Sequence, residues 1–263
     1  MSKTLGIAFG GSGAEGIACL SYVKALEEAD IRPDIVSGTG IGGVVAAMFA
    51  AGMSFKEMMD FLVEIDFPGS RRPINIAKLK DSKRGLLDDM GLEEYFKMVV
   101  PIRVFDRLYF PLRIVATEFK TGAEAVFSEG DVGHAVRAGV AVPGIFSPFE
   151  IGEALYIDGS CVNPVPFDII RDDCEVLTAI APGTYQQTEE NRASANVFPA
   201  LMGAYEAAKK SLSTEKKKHC NIDVYEDIII EGISPFDFSR YDDIIAFAQE
   251  NAERFVLNIH KLL

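Results

Sequence analysis

Asp34-Ile35-Val36-Ser37-Gly38-Thr39-Gly40-Ile41-Gly42 leads a short β-prone run into a bend studded with glycines, and a very apolar segment follows to about Ala51. The reading is strand, tight turn, buried helix. A strand that turns sharply into a helix through G-x-S-x-G lifts its central serine into the open and aims the hydroxyl upward. Glycines flank such a bend because it is tight and strained. An ordinary strand–helix turn needs none on either side, so Gly38 and Gly42 mark a built elbow. Its central position is Gly40, which has no side chain.

Upstream, Leu5-Gly6-Ile7-Ala8-Phe9 reads as a buried strand, and Gly10-Gly11-Ser12-Gly13-Ala14-Glu15-Gly16 joins it to a helix over about Gly16–Glu28. Glycines there let backbone approach a ligand closely. Free N–H groups at the helix start can hold an anion or a developing oxyanion. Gly11, Gly13 and Gly16 also fit the dinucleotide pattern G-x-G-x-x-G. That pattern wants an acidic residue closing the second strand, whereas Asp34 opens it, and a second glycine elbow closes it. A dinucleotide is therefore disfavoured. Downstream, Tyr156-Ile157-Asp158-Gly159-Ser160 leaves an acid on a turn after a strand. Asp-Gly alone is commonly just a turn. Beside a hydroxyl, a buried carboxylate can serve as general base, and Asp158 is the candidate.

Strand and helix signals alternate throughout, which favours a layered α/β fold with a mainly parallel sheet and one domain over 1–263. Strands are expected at Leu112–Phe119, Ala125–Phe127 and Val176–Ile180, and Asp131 caps a short helix reaching Ala138. Ser54 and Glu57 form a capping box. Asp66 to Asp89 reads as a long excursion, a flap over a site. Arg240–Leu262 is an amphipathic helix through Ile244, Phe247, Ala248, Ala252, Phe255, Val256 and Ile259.

The net charge of −13 over 263 residues argues against nucleic acid as a partner and against broad attraction to anionic membranes. One local exception is Lys209, Lys210, Lys216, Lys217 and Lys218, read as a solvated helix face in preference to a patch for lipid headgroups. The cysteines show no metal-ligand spacing, Cys19 and Cys174 sit in apolar runs as buried thiols, and a reducing, cytoplasmic location fits. No apolar run is long enough to span a membrane. His134, His219 and His260 fall in no loop suited to a catalytic triad and read as solvent-facing or satisfied.

The Gly-rich loop, the elbow and the Asp-Gly turn, in this order, resemble the patatin-like phospholipase family, its bacterial single-domain members in particular. Further shared stretches are Ala116–Gly122, Ala135–Ala138 through Pro143–Phe146, Val162–Pro166 and Phe236–Phe238. The resemblance implies a three-layer α/β/α fold with a central, mostly parallel sheet. It implies hydrolysis of a lipid acyl ester by a Ser–Asp dyad, with no metal and no cofactor, and transient contact with a membrane surface. Gly11, Ser12 and Gly13 then occupy the oxyanion-hole loop, Gly40 the nucleophile position and Asp158 the base. The departures are several. Ser12 breaks the glycine run, Glu15 replaces an arginine, Ser160 a Gly or Ala, and Gly139 a serine.

Gly40 admits three readings: a natural pseudo-enzyme, an engineered or variant chain, or rescue by another nucleophile, with Ser12 best placed. An engineered knockout changes one residue, usually to alanine. Here several positions have drifted together, which favours the natural pseudo-enzyme, and two classes stay open: a lipid acyl hydrolase by descent with weak or absent activity, or a non-catalytic binder of lipid or acyl chains. Losing an established nucleophile costs on the order of 10⁶ in turnover, which weighs against rescue.

Overall fold

β1 (Leu5–Phe9) alternates its side chains between two apolar layers: Leu5, Ile7 and Phe9 join one buried cluster and Ala8 the other. A strand buried on both faces is what a parallel sheet under two layers requires. The computed structural model describes residues 3–64, 100–185, 197–235 and 237–263. The expected excursion at Asp66–Asp89 and the residue Phe236 lie outside them.

A 3-10 turn (Ala14–Ala18) and α1 (Cys19–Glu28) follow β1, then β2 (Ile35–Gly38), α2 (Gly40–Ala50) and α3 (Phe55–Glu64). The capping box at α3 is present, with Glu57 Oε2 accepting the Ser54 N–H at 2.8 Å. β3 (Leu112–Glu118) and β4 (Glu124–Phe127) precede α4 (Val132–Gly139), which Asp131 caps through the His134 N–H at 2.9 Å. β5 (Phe149–Ile151), β6 (Ala154–Asp158), β7 (Val176–Tyr185), α5 (Val197–Lys217), β8 (Val224–Glu231) and α6 (Tyr241–His260) complete the order.

These strands form one mixed sheet. β3-β2-β1-β7-β8 pair in parallel, while β4 and β6 pair antiparallel to β3, and β5 antiparallel to β6. One face carries α1, α2 and α6, with Tyr22 of α1 edge-on to Phe255 of α6 at 5.2 Å. On the other face, Ile35, Leu177 and Ala179 pack with Phe167 and Ile170 of the turn after β6. The expected α/β architecture is present, and its parallel core has an antiparallel flank.

Register on β3 positions the site. Ile114 pairs with Gly38 of β2 and with Phe127 of β4, so those strands take opposite edges. Ala116 pairs with Ala125 of β4 and with Asp158 of β6. β6 therefore shares the edge of β2, and the two strands meet end to end. Gly38 and Asp158 stand two residues apart along β3, roughly 7 Å at the rise of a strand.

Candidate active site

The elbow forms as the glycine spacing predicts. Thr39 is extended (φ −140°, ψ 151°) and Gly40 enters α2 with φ +57°. That is a left-handed value which a residue with a Cβ adopts at a cost. The Gly-rich loop lies directly on the elbow. Gly42 N–H donates to Gly11 O at 3.0 Å and Thr39 N–H to Phe9 O at 3.1 Å. A Cβ at Gly42 would strike the Gly10 carbonyl oxygen, so this close approach requires glycine. At Gly38 a Cβ would fall 2.5 Å from Gly43 Cα.

Gly11, itself at φ +104°, turns its carbonyl toward the elbow. A Cβ built on Gly40 would lie 2.6 Å from that oxygen and 2.6 Å from Ser12 Cα. The volume a nucleophile's side chain would need is thus filled by backbone. Gly13 N–H is also engaged, donating to Glu15 Oε1 at 3.0 Å, and Ala14 N–H donates to Pro235 O at 2.8 Å.

Asp158 reaches the same place from β6. Its carboxylate caps the following turn, accepting the Ser160 N–H at 2.7 Å, and Thr117 Oγ1 donates to its carbonyl at 2.8 Å. Ser160 Oγ lies beside the carboxyl, off hydrogen-bonding geometry, and Oδ2 has no partner among the described residues. Next along, a Cβ on Gly159 would strike Thr39 Oγ1, which ties the Asp158 turn to the elbow. Burial drives the Asp158 pKa up to about 7, against the Ser160 N–H and the Lys209 charge, which lower it; Glu15 adds to the rise.

Lys209 is the residue that the sequence reading misplaces. It is 8% exposed, not on a solvated face. Its ammonium donates to Ser12 Oγ at 2.5 Å and Glu206 Oε1 at 2.7 Å, and lies 3.6 Å from Glu15 Oε1. Burial pulls the Lys209 pKa down, but Glu15, Glu206 and Asp158 outweigh it and the net shift is upward. Burial raises the Glu206 pKa in turn, Lys209 partly offsetting it. The available signal was register: Met202, Tyr205, Glu206 and Lys209 follow helical i, i+3, i+4, i+7 spacing from a buried methionine. The rest of the basic run is also paired or exposed, with Lys216 on Asp168 at 2.6 Å and Lys218 on Glu215 at 2.6 Å.

The histidines stand apart from this cluster. His134 packs its ring on Phe149 at 5.6 Å, His219 lies 3.2 Å from Glu215, and His260 ends α6 exposed. All four cysteines are free thiols, with Cys19 and Cys174 buried as expected.

A mixed α/β sheet thus carries a glycine elbow beside a buried acid. The family model for patatin-like phospholipases matches residues 7–171, and the chain belongs to that family. It is 29% identical over 177 residues to the uncharacterized NTE family protein Rv2565 of Mycobacterium tuberculosis, a match covering 66% of this chain and 29% of that one. It is 25% identical over 191 residues to patatin-like phospholipase domain-containing protein 7 of Rattus norvegicus, covering 71% of this chain and 14% of that one. The chain therefore spans under a third of either relative. Among solved structures, VipD from Legionella pneumophila aligns with TM-score 0.47 and 16% identity over 94% of this chain and 67% of VipD. The family assignment rests on the family model and the sheet, not on that last likeness. Among the described residues no helix is long and apolar enough to cross a membrane.

Proposed function

We propose that this chain is a patatin-like lipid acyl hydrolase by descent, with weak or absent turnover in the sequence as written. The observation that carries the reading is Gly40: no hydroxyl, φ +57°, and its Cβ position filled by Gly11 O and Ser12 Cα. In the dyad plan a serine attacks the ester carbonyl, a carboxylate accepts its proton, and loop N–H groups stabilise the oxyanion. Asp158 is still suited to the base role, buried with a pKa of about 7. The oxyanion loop is altered: the Gly13 N–H is already bound to Glu15, and that carboxylate would repel a developing oxyanion.

Rescue by Ser12 is opposed by its partner. A lysine activates a serine only as the neutral amine, whereas Lys209 is held in its charged form and donates to Ser12 Oγ. A serine-directed fluorophosphonate probe is therefore expected to leave the chain unlabelled at both positions, read by intact mass and peptide mapping. Labelling of Ser12 would refute the assignment.

A second reading, a non-catalytic binder of lipid or acyl chains, is favoured by the apolar neighbours of the Asp158 turn. Asp158 N–H donates to Ala141 O at 3.0 Å, and Val142, Ile145 and Phe146 follow in the same buried cluster as Val44 of α2. Lysolipid is expected to raise the melting temperature by mass action. Absence of any shift at saturating lysolipid removes that reading.

A further inference from the structure

Counting charge around the elbow gives an unbalanced sum. Among the described residues, Glu15 contributes a carboxylate at 0% exposure, Asp158 a carboxyl at 0%, Glu206 a third that is partly buried, and Lys209 the one ammonium. The other titratable neighbours, Tyr205 of α5 and Cys161 of the turn after β6, bring no positive charge. Among the described residues, the cluster carries two uncompensated negative charges with Asp158 and Glu206 ionised, one with either protonated, and none with both protonated. Buried charge of one sign is costly unless paired.

A second observation is independent of charge. Thr39 Oγ1 and Asp158 Oδ2, both in residues at 0% exposure, have no hydrogen-bond partner among the described residues, and the contact of Thr39 with Gly159 puts both at the same turn. Glu15 Oε2 is likewise unpartnered. Buried polar atoms without partners mark a place where a ligand or water completes the set. Once Asp158 is ionised its oxygens and those of Glu15 can only accept, and the Thr39 hydroxyl can accept as well; the unpartnered Ser160 Oγ can supply one donor, which leaves further acceptors unmet, so the missing group is a donor.

Some of the nearby donors are already engaged: the Gly13, Ala14 and Gly42 N–H groups are bonded within the chain, and the Lys209 ammonium is divided among Ser12, Glu206 and Glu15. We propose that the open acceptors at the Asp158 turn recognise a hydrogen-bond-donating cation, the primary ammonium end of an alkyl amphiphile, in preference to an anion. This rests on the lipid- or acyl-binding reading above and specifies the polar end of the ligand. Lys209 is the chain's own example of the group, an ammonium held by Glu15 and Glu206.

The test compares four probes that share one alkyl chain: octylamine, octyltrimethylammonium, octanol and octanoate. Affinities are measured by calorimetry at about pH 8, where Asp158 is ionised and an alkyl amine is still protonated. Octylamine is expected to bind at least about tenfold more tightly than octanoate, and also more tightly than octyltrimethylammonium, which matches its charge without its N–H donors. Glu15→Gln removes one charge while its amide oxygen can still accept the Gly13 N–H, so octanoate is expected to gain and octylamine to lose through charge alone. Asp158→Asn serves the same comparison if Glu15→Gln does not fold, and octylamine is expected to lose its advantage there.

Octanoate binding the unmodified chain as tightly as octylamine would overturn the proposal, as would equal binding of the two cations. Octanol or lysolipid binding with no preference for the amine would sink this inference and leave the acyl-binding reading standing. Binding of none of the probes would remove both, and the hydrolase-by-descent reading, tested by fluorophosphonate, is unaffected.

Discussion

Gly40 and Asp158 set opposite constraints on substitution. Gly40→Ser must adopt φ +57°, a strain of about 1–2 kcal/mol, and push its Cβ against Gly11 O and Ser12 Cα. A lowered urea midpoint and no fluorophosphonate adduct are the expected outcome. An unchanged midpoint with labelling at position 40 would mean that the loop yields readily. At Asp158 the sign runs the other way. Its pKa rises from 3.8 unfolded to about 7 folded, so the folded chain holds a proton that the unfolded chain has released. The stability linked to that proton is complete below about pH 4 and is lost as pH climbs through 7. Asp158→Asn keeps an acceptor for the Ser160 N–H and never ionises. It is expected to gain about 2–4 kcal/mol over the parent above pH 7 and to flatten the pH dependence between 4 and 7, read by urea unfolding across pH.

Helix α5 meets the site through the buried cation Lys209, and α6 packs on the core through one apolar stripe. Lys209→Met leaves Glu15 and Glu206 facing each other, and a loss of about 3–5 kcal/mol is expected. Adding Glu15→Gln should return much of it, a coupling that a double-mutant cycle reads directly. On α6, Phe255→Ala is expected to cost about 3–5 kcal/mol and Phe247→Ala within about 0.5, because Phe255 is fully buried and Phe247 is 47% exposed. Periodicity alone put both on the core stripe, since a helical wheel locates a face but not where its rim ends. Elements were lost for similar reasons. β8 (Val224–Glu231) mixes Glu226 and Asp227 into its apolar run as an edge strand does. β7 runs past Ile180, where the expected strand ended, through Pro182 and Gly183, because pairing with β8 carries it to Tyr185.

Across the whole chain, the elbow, the Gly-rich loop and Asp158 were legible because glycines and an acid after a strand leave marks in order and spacing. Lys209 was not, because five lysines in a short span read as surface until their helical register is set against the fold. With a net charge of −13 and Lys216 and Lys218 paired, the chain is expected not to sediment with anionic vesicles at low salt. Co-sedimentation that salt abolishes would count against this. The meeting of β2 and β6 along one edge of β3 has its own consequence for how the chain can change. Both halves of the site are measured off the same seven-residue strand, Leu112–Glu118. A substitution there alters packing, but inserting or deleting a single residue between Ile114 and Ala116 would shift the acid by about 3.3 Å relative to the elbow and send the side chains beyond it to the opposite face of the sheet. That stretch can therefore drift in composition far more readily than in length.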